Sequence, residues 1–441
     1  MRFFLIGDEA SKRTIYLKKV AESMSVSFQI INWENVEHIF CLDKLKNSVS
    51  NEHGEILGKS ALQTKGLNST VLSEKDIVSI ENIFLTQESK GIELSVNSEL
   101  LDMNTFSVDA SECFDLENED TILKRNMFLI HTSKNFDSTR KNTILNQDIV
   151  NLELLKGAVI KIDPPSYETV HLSQMKKLLK EYQENLRRMM QMPCQFLNTP
   201  EAILKLLDKK ETKFQLQSHS VPVTKMFDED VWRLEQLLEL MKKKRCYSVF
   251  VKPRYFSGAA GVTAFRIHPG NGKMRLYTSC RMDSNCLVNT KKMVVLEDKQ
   301  EIAFFMEKLL ELGCIVERWY PKAEFKGKSY DLRVVYQFGH IAYIVVRQSG
   351  GPITNLHLNN HAMDIKRLGL SQEKLQEIEE VCKEAMEVFP GLNMAGIDIL
   401  LEKGTLRPLI IEMNGQGDLI YQDIYGKNLI YSEQIEWLMS R

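Results

Sequence analysis

Short apolar runs separated by polar turns mark both ends of this 441-residue chain, and they predict strands alternating with helices. FFLIG, from Phe3, is apolar and DEASKR is a polar turn. TIYLKKVAESM has helical spacing, and VSFQIINW reads as a second strand, so residues 1–35 predict a βαβ opening of an α/β layer. Residues 41–150 are polar, with short apolar islands at Asn82–Leu85 and Met127–Ile130, and their pattern assigns no clear elements. LKGAVIKIDPPSY (155–167) predicts a strand ended by two prolines, and a long charged helix follows from His171 to Met190. Asn198 or Thr199 is placed to cap a further helix with Pro200 in its first turn. A second helix ends before Val221-Pro222, and strands with intervening helices continue to the C-terminus.

The pattern is most informative at residues 394–418. Two apolar runs, Ile397–Leu401 and Pro408–Met413, flank Glu-Lys-Gly-Thr and predict a β-hairpin. Asp398 interrupts the first run and Glu412 the second. With the turn near Gly404–Thr405, Asp398 falls opposite residues 410–412. Glu412 and Asn414 point the same way, because side chains alternate along a strand. Three oxygen ligands then converge on one face. Unpartnered buried carboxylates are costly, and a magnesium ion carrying nucleotide phosphates satisfies them.

Composition narrows the class. Hydrophobic content of 43% and charged content of 26% suit a globular protein of two or three domains. A formal net charge of −2 gives no reason to expect nucleic acid or an anionic membrane. No apolar run approaches the ~18 residues that would suggest a transmembrane helix. The eight cysteines are scattered without a CxxC pair, which fits unpaired thiols in a reducing cytoplasm.

Two further segments carry chemistry. In YSVFVKPRYFSGAAGV (247–262) a strand ends at Lys252-Pro253, and a small-residue loop follows with Ser257, Gly258 and Gly261. Small residues let backbone N–H groups approach phosphate, and the lysine neutralises it. The competing reading is a flexible surface hairpin. In residues 313–347, Glu317-Arg318-Trp319-Tyr320 lies between two strands as a candidate adenine slot. Asp331 and Arg333 share a strand face, and Arg347 ends the next strand. A surface ion pair between Asp331 and Arg333 is the bland alternative. Gly54 to Ser60 has a phosphate-loop look but is one residue short and follows no strand. His357 and His361 lack the acid of a zinc-protease motif.

Taken together, the segments from about 196 to 431 resemble the ATP-grasp superfamily, and within it the RimK-like carboxylate–amine ligases. Asp208-Lys209, with Lys213 and Val221-Pro222, is similar to the entry motif whose lysine contacts phosphate. Lys252-Pro253 with the loop to Gly261 resembles the second phosphate lysine and the mobile loop. Glu317 to Tyr320 resembles the adenine hinge, and Asp331-Leu332-Arg333 the Asp-x-Arg strand. Arg347 with Asn355-Leu356-His357 resembles the Arg…Asn-Leu-His segment, and Asp398, Glu412 and Asn414 the metal ligands. Lys161-Ile-Asp-Pro-Pro-Ser-Tyr adds a similarity to an uncharacterised bacterial subgroup.

The resemblance implies an α/β (α+β) ATP-grasp fold with a Rossmann-like pre-ATP-grasp domain at 1–195, a lid subdomain at 196–316 and a core with the metal site at 317–441. It implies ATP and Mg2+ as cofactors. Lys209, Lys252, Ser257, Gly258, Gly261, Glu317, Trp319, Tyr320 and Asp331 would hold nucleotide. Arg333 and Arg347 would act in catalysis, and Asn355, His357 and Gly415 would meet substrate. The implied reaction forms an amide through an acyl-phosphate and releases ADP and phosphate. Its partners are small-molecule or peptide carboxylates and amines, and a homo-oligomer is compatible, since many such ligases associate. The alternatives are a kinase on the same fold, a ligase that modifies a precursor peptide, and a non-enzymatic nucleotide binder. The chain departs from the family pattern at Gly415-Gln416-Gly417-Asp418 and at Leu358-Asn359-Asn360-His361, both beside the expected acceptor side.

Overall fold

The structure, a computed structural model, describes residues 2–36, 155–166, 169–358, 360–418, 420, 423–426 and 429–441, together with the backbone of three strands between 83 and 108. The chain divides into two units, one of residues 1–37 with 152–441 and the other of residues 38–151. Helices and sheets are both abundant, so the protein is of mixed α and β class. The island at 127–130 and the Gly54–Ser60 segment lie outside the described residues.

The N-terminal layer follows the predicted βαβ pattern. Strand β1 (Phe3–Ile6) and β2 (Gln29–Ile31) pair in parallel across a helix, Lys12–Ser23. Ser11 caps that helix, its side chain accepting from Thr14 N–H. In the other unit, β3 (Ile83–Glu88), β4 (Gly91–Val96) and β5 (Thr105–Val108) form an antiparallel meander. Strands β6 (Val159–Ile162) and β7 (Gln195–Phe196) complete a four-stranded parallel sheet of order β2-β1-β6-β7. Phe3, Leu5, Leu17 and Val20 pack there against Tyr431 and Ile435 of the C-terminal helix, Leu429–Met439.

Two helices, Pro200–Leu207 and Lys209–Ser218, lead to the second sheet. Thr199 caps the first, and Asp208 caps the second by accepting from the N–H groups of Lys210 and Glu211. The second sheet comprises β8 (Met226–Val231), β9 (Ser248–Pro253), β10 (Thr263–Ile267), β11 (Met274–Asp283), β12 (Cys286–Leu296) and β13 (Cys314–Arg318), in the order β12-β11-β10-β9-β13-β8. The third comprises β14 (Glu324–Phe325), β15 (Lys328–Gln337), β16 (His340–Ser349), β17 (His361–Met363), β18 (Met394–Leu401) and β19 (Pro408–Asn414). Its order is β17-β16-β15-β18-β19, with β14 on β15. Leu332, Val334, Ile397 and Ile399 turn one face of it to helix Gln372–Glu387, burying Ile378, Cys382 and Ala385 in one core. The opposite face carries the polar side chains Asp331, Arg333 and Asp398, and further along it Val335, Tyr343 and Val345 form a second apolar cluster with Ile420 and Ile430.

Candidate active site

Two ladders place the charged residues. On β15, Asp331 is directly opposite Arg347 of β16, and Arg333 is directly opposite Asp398 of β18. Asp398 is in turn opposite Glu412 of β19, and Gly396 opposite Asn414. The row Arg333, Asp398, Glu412 therefore crosses three strands on the polar face, with Asn414 two residues further along β19. The predicted hairpin forms with its acids facing each other.

The ion pairs differ from the expected surface contact between Asp331 and Arg333. Arg347 Nε donates to Asp331 Oδ1 at 2.7 Å, and its Nη2 lies 3.1 Å from Asp398 Oδ2. Lys322 reaches Asp331 Oδ2 at 3.2 Å, and Thr354 donates to the same oxygen. Asp331 and Arg347 are both buried. Burial alone would raise the Asp331 carboxyl, yet Arg347 and Lys322 hold it below the ordinary range. Alternation along the strand turns Asp331 and Arg333 to the same face, but their direct partners come from the neighbouring strands. Arg333 Nε approaches Asp398 Oδ1 at 3.0 Å, and that oxygen receives no aligned hydrogen bond. It is a buried acceptor with spare capacity.

The lysines form the opposing wall. Lys252 on β9 is laddered with Ile315 of β13, so Glu317, two residues on, shares its face. Lys252 Nζ donates to Glu317 Oε2 at 2.9 Å. Lys213 enters from helix Lys209–Ser218, with Nζ 3.6 Å from Glu317 Oε1. Burial alone would raise the Glu317 carboxyl, but the two ammonium groups hold it below its usual range. Burial pulls Lys213 down to about 8, against the opposing pull of Glu317. Lys209, four residues before Lys213, faces elsewhere: it lies 3.3 Å from Glu412 Oε1 and donates to the Phe256 carbonyl. One helix thus brings one lysine to Glu412 and another to Glu317.

Between the walls lies a cleft with an open volume of about 610 Å3. Lys252, Glu317 and Tyr320 line one side; Asp331, Arg347, Asp398 and Glu412 line the other; Asn355 belongs to a third. Phe250, Val262, Ile353 and Leu400 give it an apolar part suited to a planar base. Trp319 is absent from its walls and packs instead on Phe250 and Tyr277 at ring separations of 5.5 and 6.2 Å. Arg333 is not a wall either, and its guanidinium passes beside Gly396. His357 sits on the short 3-10 turn Leu356–Leu358, and its side chain lies outside the described residues.

The small-residue loop after Lys252 is held at several points. Arg254 makes a bidentate pair with Asp208 at 2.6 and 2.5 Å, and Ser279 donates to the Ala259 carbonyl. Gly258 and Gly261 adopt φ values of +66° and +73°, where a side chain is strained. Ser257, Lys209, Asn414 and Gly415 line a separate narrow recess rather than the cleft.

Residues 415–418, where the sequence leaves the family pattern, are pinned from the N-terminal layer. Asp418 is fully buried, pairs with Arg13, and lies 3.0 Å from Lys161. It anchors the loop instead of facing the cleft. Gln416 receives Tyr182 OH at 2.7 Å and donates to Ile162 O at 2.8 Å. A Cβ on Gly396 would lie 2.5 Å from Arg333 Nη1 and 2.7 Å from Gly417 Cα, so a glycine pair permits this close packing.

Thr224, Lys322 and Thr354 enter the site without having been singled out as site residues, whereas Lys213 was named with the entry motif beside Lys209. Thr224 and Lys322 are isolated polar positions that only the fold brings in.

Among the described residues no three His, Cys, Asp or Glu gather as a metal cluster. The available donor set is two carboxylates and the amide of Asn414, hard oxygen donors of the kind magnesium takes. The spare Asp398 oxygen is consistent with it. No described helix is long and apolar enough to cross a membrane.

No family model matches the chain, and no curated protein matches it. Among solved structures it is similar to the ATP-grasp ligase PsnB with a minimal precursor, at 10% identity over 100% of this chain and 99% of that one, with a TM-score of 0.47. It is similar to the macrocyclase MdnC of Microcystis aeruginosa MRC bound with precursor peptide MdnA, at 11% identity over 100% of both chains, TM-score 0.46. The D-cycloserine synthetase DcsG matches at 11% identity over 66% of this chain and 89% of its own, TM-score 0.42.

Proposed function

We propose that this chain is an ATP-dependent ligase of the ATP-grasp kind, joining a carboxylate to an amine with release of ADP and phosphate. One observation carries the reading: a cleft with Lys252 on one wall and the opposed pair Asp398 and Glu412 on the other. Such a cleft suits a triphosphate whose charge is met from both sides. Lys252 and Lys213 would hold the phosphates, and the apolar part beside Phe250 and Leu400 would take the base. Asp398, Glu412 and Asn414 would hold Mg2+. The ion, when bound, neutralises charge building on the transferring phosphoryl group.

In the proposed sequence, a substrate carboxylate oxygen attacks the γ-phosphorus and ADP leaves, giving an acyl-phosphate. An amine then attacks the acyl carbon, phosphate departs with the bonding pair, and the amine loses a proton. Arg347 is fixed by two carboxylates and orients Asp398. Arg333, beside Gly396 and the 415–418 loop, is assigned to the developing oxyanion. The loop from Arg254 to Gly261 excludes water from the labile intermediate.

The test is an ADP-release screen over amino acids, other carboxylates and amines, with mass spectrometry of products. Peptides form a second arm, because the PsnB and MdnC structures above hold precursors. ADP formation that depends on both a carboxylate and an amine is expected. A phosphorylated product without amine would point to a kinase, and AMP release would overturn the acyl-phosphate route. Glu412→Gln is expected to lower ADP formation about 100-fold or more with the fold intact. Unchanged metal dependence in that variant would remove the metal assignment.

A further inference from the structure

We propose that Asn198 is a positioning residue for the metal hairpin, its side-chain amide fixing the turn after Asn414 against the start of β18. This rests on the ligase reading above. Thr199 caps helix Pro200–Leu207, so Asn198, the residue before it, is available for another role. It is buried between β7 and that helix. The β18–β19 ladder ends at the rung Gly396–Asn414, and beyond it the Asn198 amide stands in for a strand. Its oxygen accepts from the Met394 N–H at 3.0 Å, and its nitrogen donates to the Met394 carbonyl at 2.8 Å. That is the two-bond exchange of an antiparallel pair, supplied by a side chain. The same oxygen takes the Asn393 N–H at 2.8 Å, and the second amide hydrogen goes to the Gly415 carbonyl at 2.5 Å.

A side-chain amide offers two donors and two acceptor positions, and Asn198 uses all four. A carboxylate of the same shape lacks both donors. The bond to Gly415 matters most for chemistry, because Gly415 directly follows Asn414. The Asn414 carbonyl accepts from the Gly417 N–H at 3.0 Å, and Asn414 Oδ1 accepts from the Gln416 N–H at 2.9 Å. The Asn414 side chain is therefore oriented by the turn it begins, and its oxygen keeps a second lone pair for the ion. Tyr182 and Ile162 tie down the far end of the turn at Gln416, and Arg13 does so at Asp418. Asn198 holds the near end. Without it the turn is released on the side of Asn414, while the lysine wall is untouched. Groups that orient a metal ligand without touching the ion typically contribute about 10–100-fold to metal affinity.

The test compares full-length wild type with Asn198→Ala and Asn393→Ala. The Asn393 side chain joins the same two segments, but its bond is to Leu197 O at 2.6 Å and not to Gly415. Affinity for a non-hydrolysable ATP analogue is measured by calorimetry in EDTA and again with saturating Mn2+, an oxygen-seeking stand-in for Mg2+. The ratio of the two affinities reads the metal site. Asn198→Ala is expected to cut that ratio about 10-fold while affinity in EDTA holds. Asn393→Ala, which loosens the same junction, is expected to leave the ratio unchanged. A full ratio in Asn198→Ala, or an equal loss in both variants, would overturn the positioning role. If Asn198→Ala does not fold, Asn198→Ser takes its place: its hydroxyl keeps part of the clamp, so a smaller loss is expected and a wild-type ratio counts against the proposal. Glu412→Gln in the same assay separates the failures. With no gain from Mn2+ in wild type, or a full gain in Glu412→Gln, the metal assignment of the ligase reading falls and the positioning role with it. With the gain lost in Glu412→Gln and kept in Asn198→Ala, the positioning role falls alone.

Discussion

Lys213 and Glu317 meet 3.6 Å apart inside a trio whose third member, Lys252, takes the other carboxylate oxygen at 2.9 Å. All three are buried, and Thr224 donates to Glu317 at 3.1 Å. Two cations share one anion, so the trio carries surplus positive charge in a poorly solvated place. Such an arrangement is costly alone and is relieved by an incoming anion.

Lys213 gives this a pH signature. It titrates at about 8 in the folded chain against 10.5 for an ordinary lysine, because burial disfavours its charge. Between those values the unfolded chain binds more protons, so this group makes stability rise with pH from about 8 to 10.5. Below 8 both states are protonated and the buried charge costs in full. Urea unfolding of wild type and Lys213→Met at pH 7.5 and 9.5 reads it. The wild-type stability relative to the variant should be higher at 9.5, and a flat or falling difference would sink the idea.

A triphosphate beside Lys213 should restore its proton. Calorimetry of ATP binding at pH 8.5, in buffers of different ionisation enthalpy, is expected to show net uptake of up to about one proton. Lys213→Met should abolish most of that uptake. Proton release would contradict the placement of phosphate at the trio.

Removing the shared anion tests the balance directly. Glu317→Gln keeps the shape but leaves two buried cations facing each other, at a cost of about 3–5 kcal/mol. A lower Tm is expected, with tripolyphosphate raising it more than in wild type. Lys252→Ala should weaken ATP about 10–100-fold, the loss of one charge-assisted contact. Unchanged affinity there would remove the phosphate assignment.

Gly396→Ala pushes a methyl group against Arg333 and the Gly417 backbone. Overpacking of this kind costs about 1–3 kcal/mol. ADP formation is expected to fall further than ATP affinity, because Arg333 and the 415–418 loop move while the lysine wall stays. Equal losses in both would assign Gly396 to stability alone.

Some of the elements that build the site, the acidic hairpin and the helix opening at Pro200 among them, were legible because local rules govern them. The Asp398–Glu412 opposition followed from two apolar runs and a short turn, since ladder register is fixed by turn position. The cap at Thr199, one of two candidates with Asn198, followed from residue type. The charge pairing did not. Asp331 and Arg333 are two apart in sequence, yet each is bound to a partner on another strand, and sheet order alone decides which strands adjoin. Trp319 looked like an adenine contact and packs on Tyr277, because burial of an aromatic ring depends on what folds beside it.

By itself the sequence determined the βαβ opening, the two lysine-bearing segments and the acidic hairpin, all set within about twenty residues by alternation, turns and caps. Only the tertiary structure decided that Lys213 and Lys252 share Glu317, that Arg347 is held by both Asp331 and Asp398, and that Asp418 is an anchor. Each of these is a charge brought out of water. A buried charge is stable only beside a specific partner, and that partner is delivered by chain segments up to hundreds of residues away, as Arg13 is to Asp418.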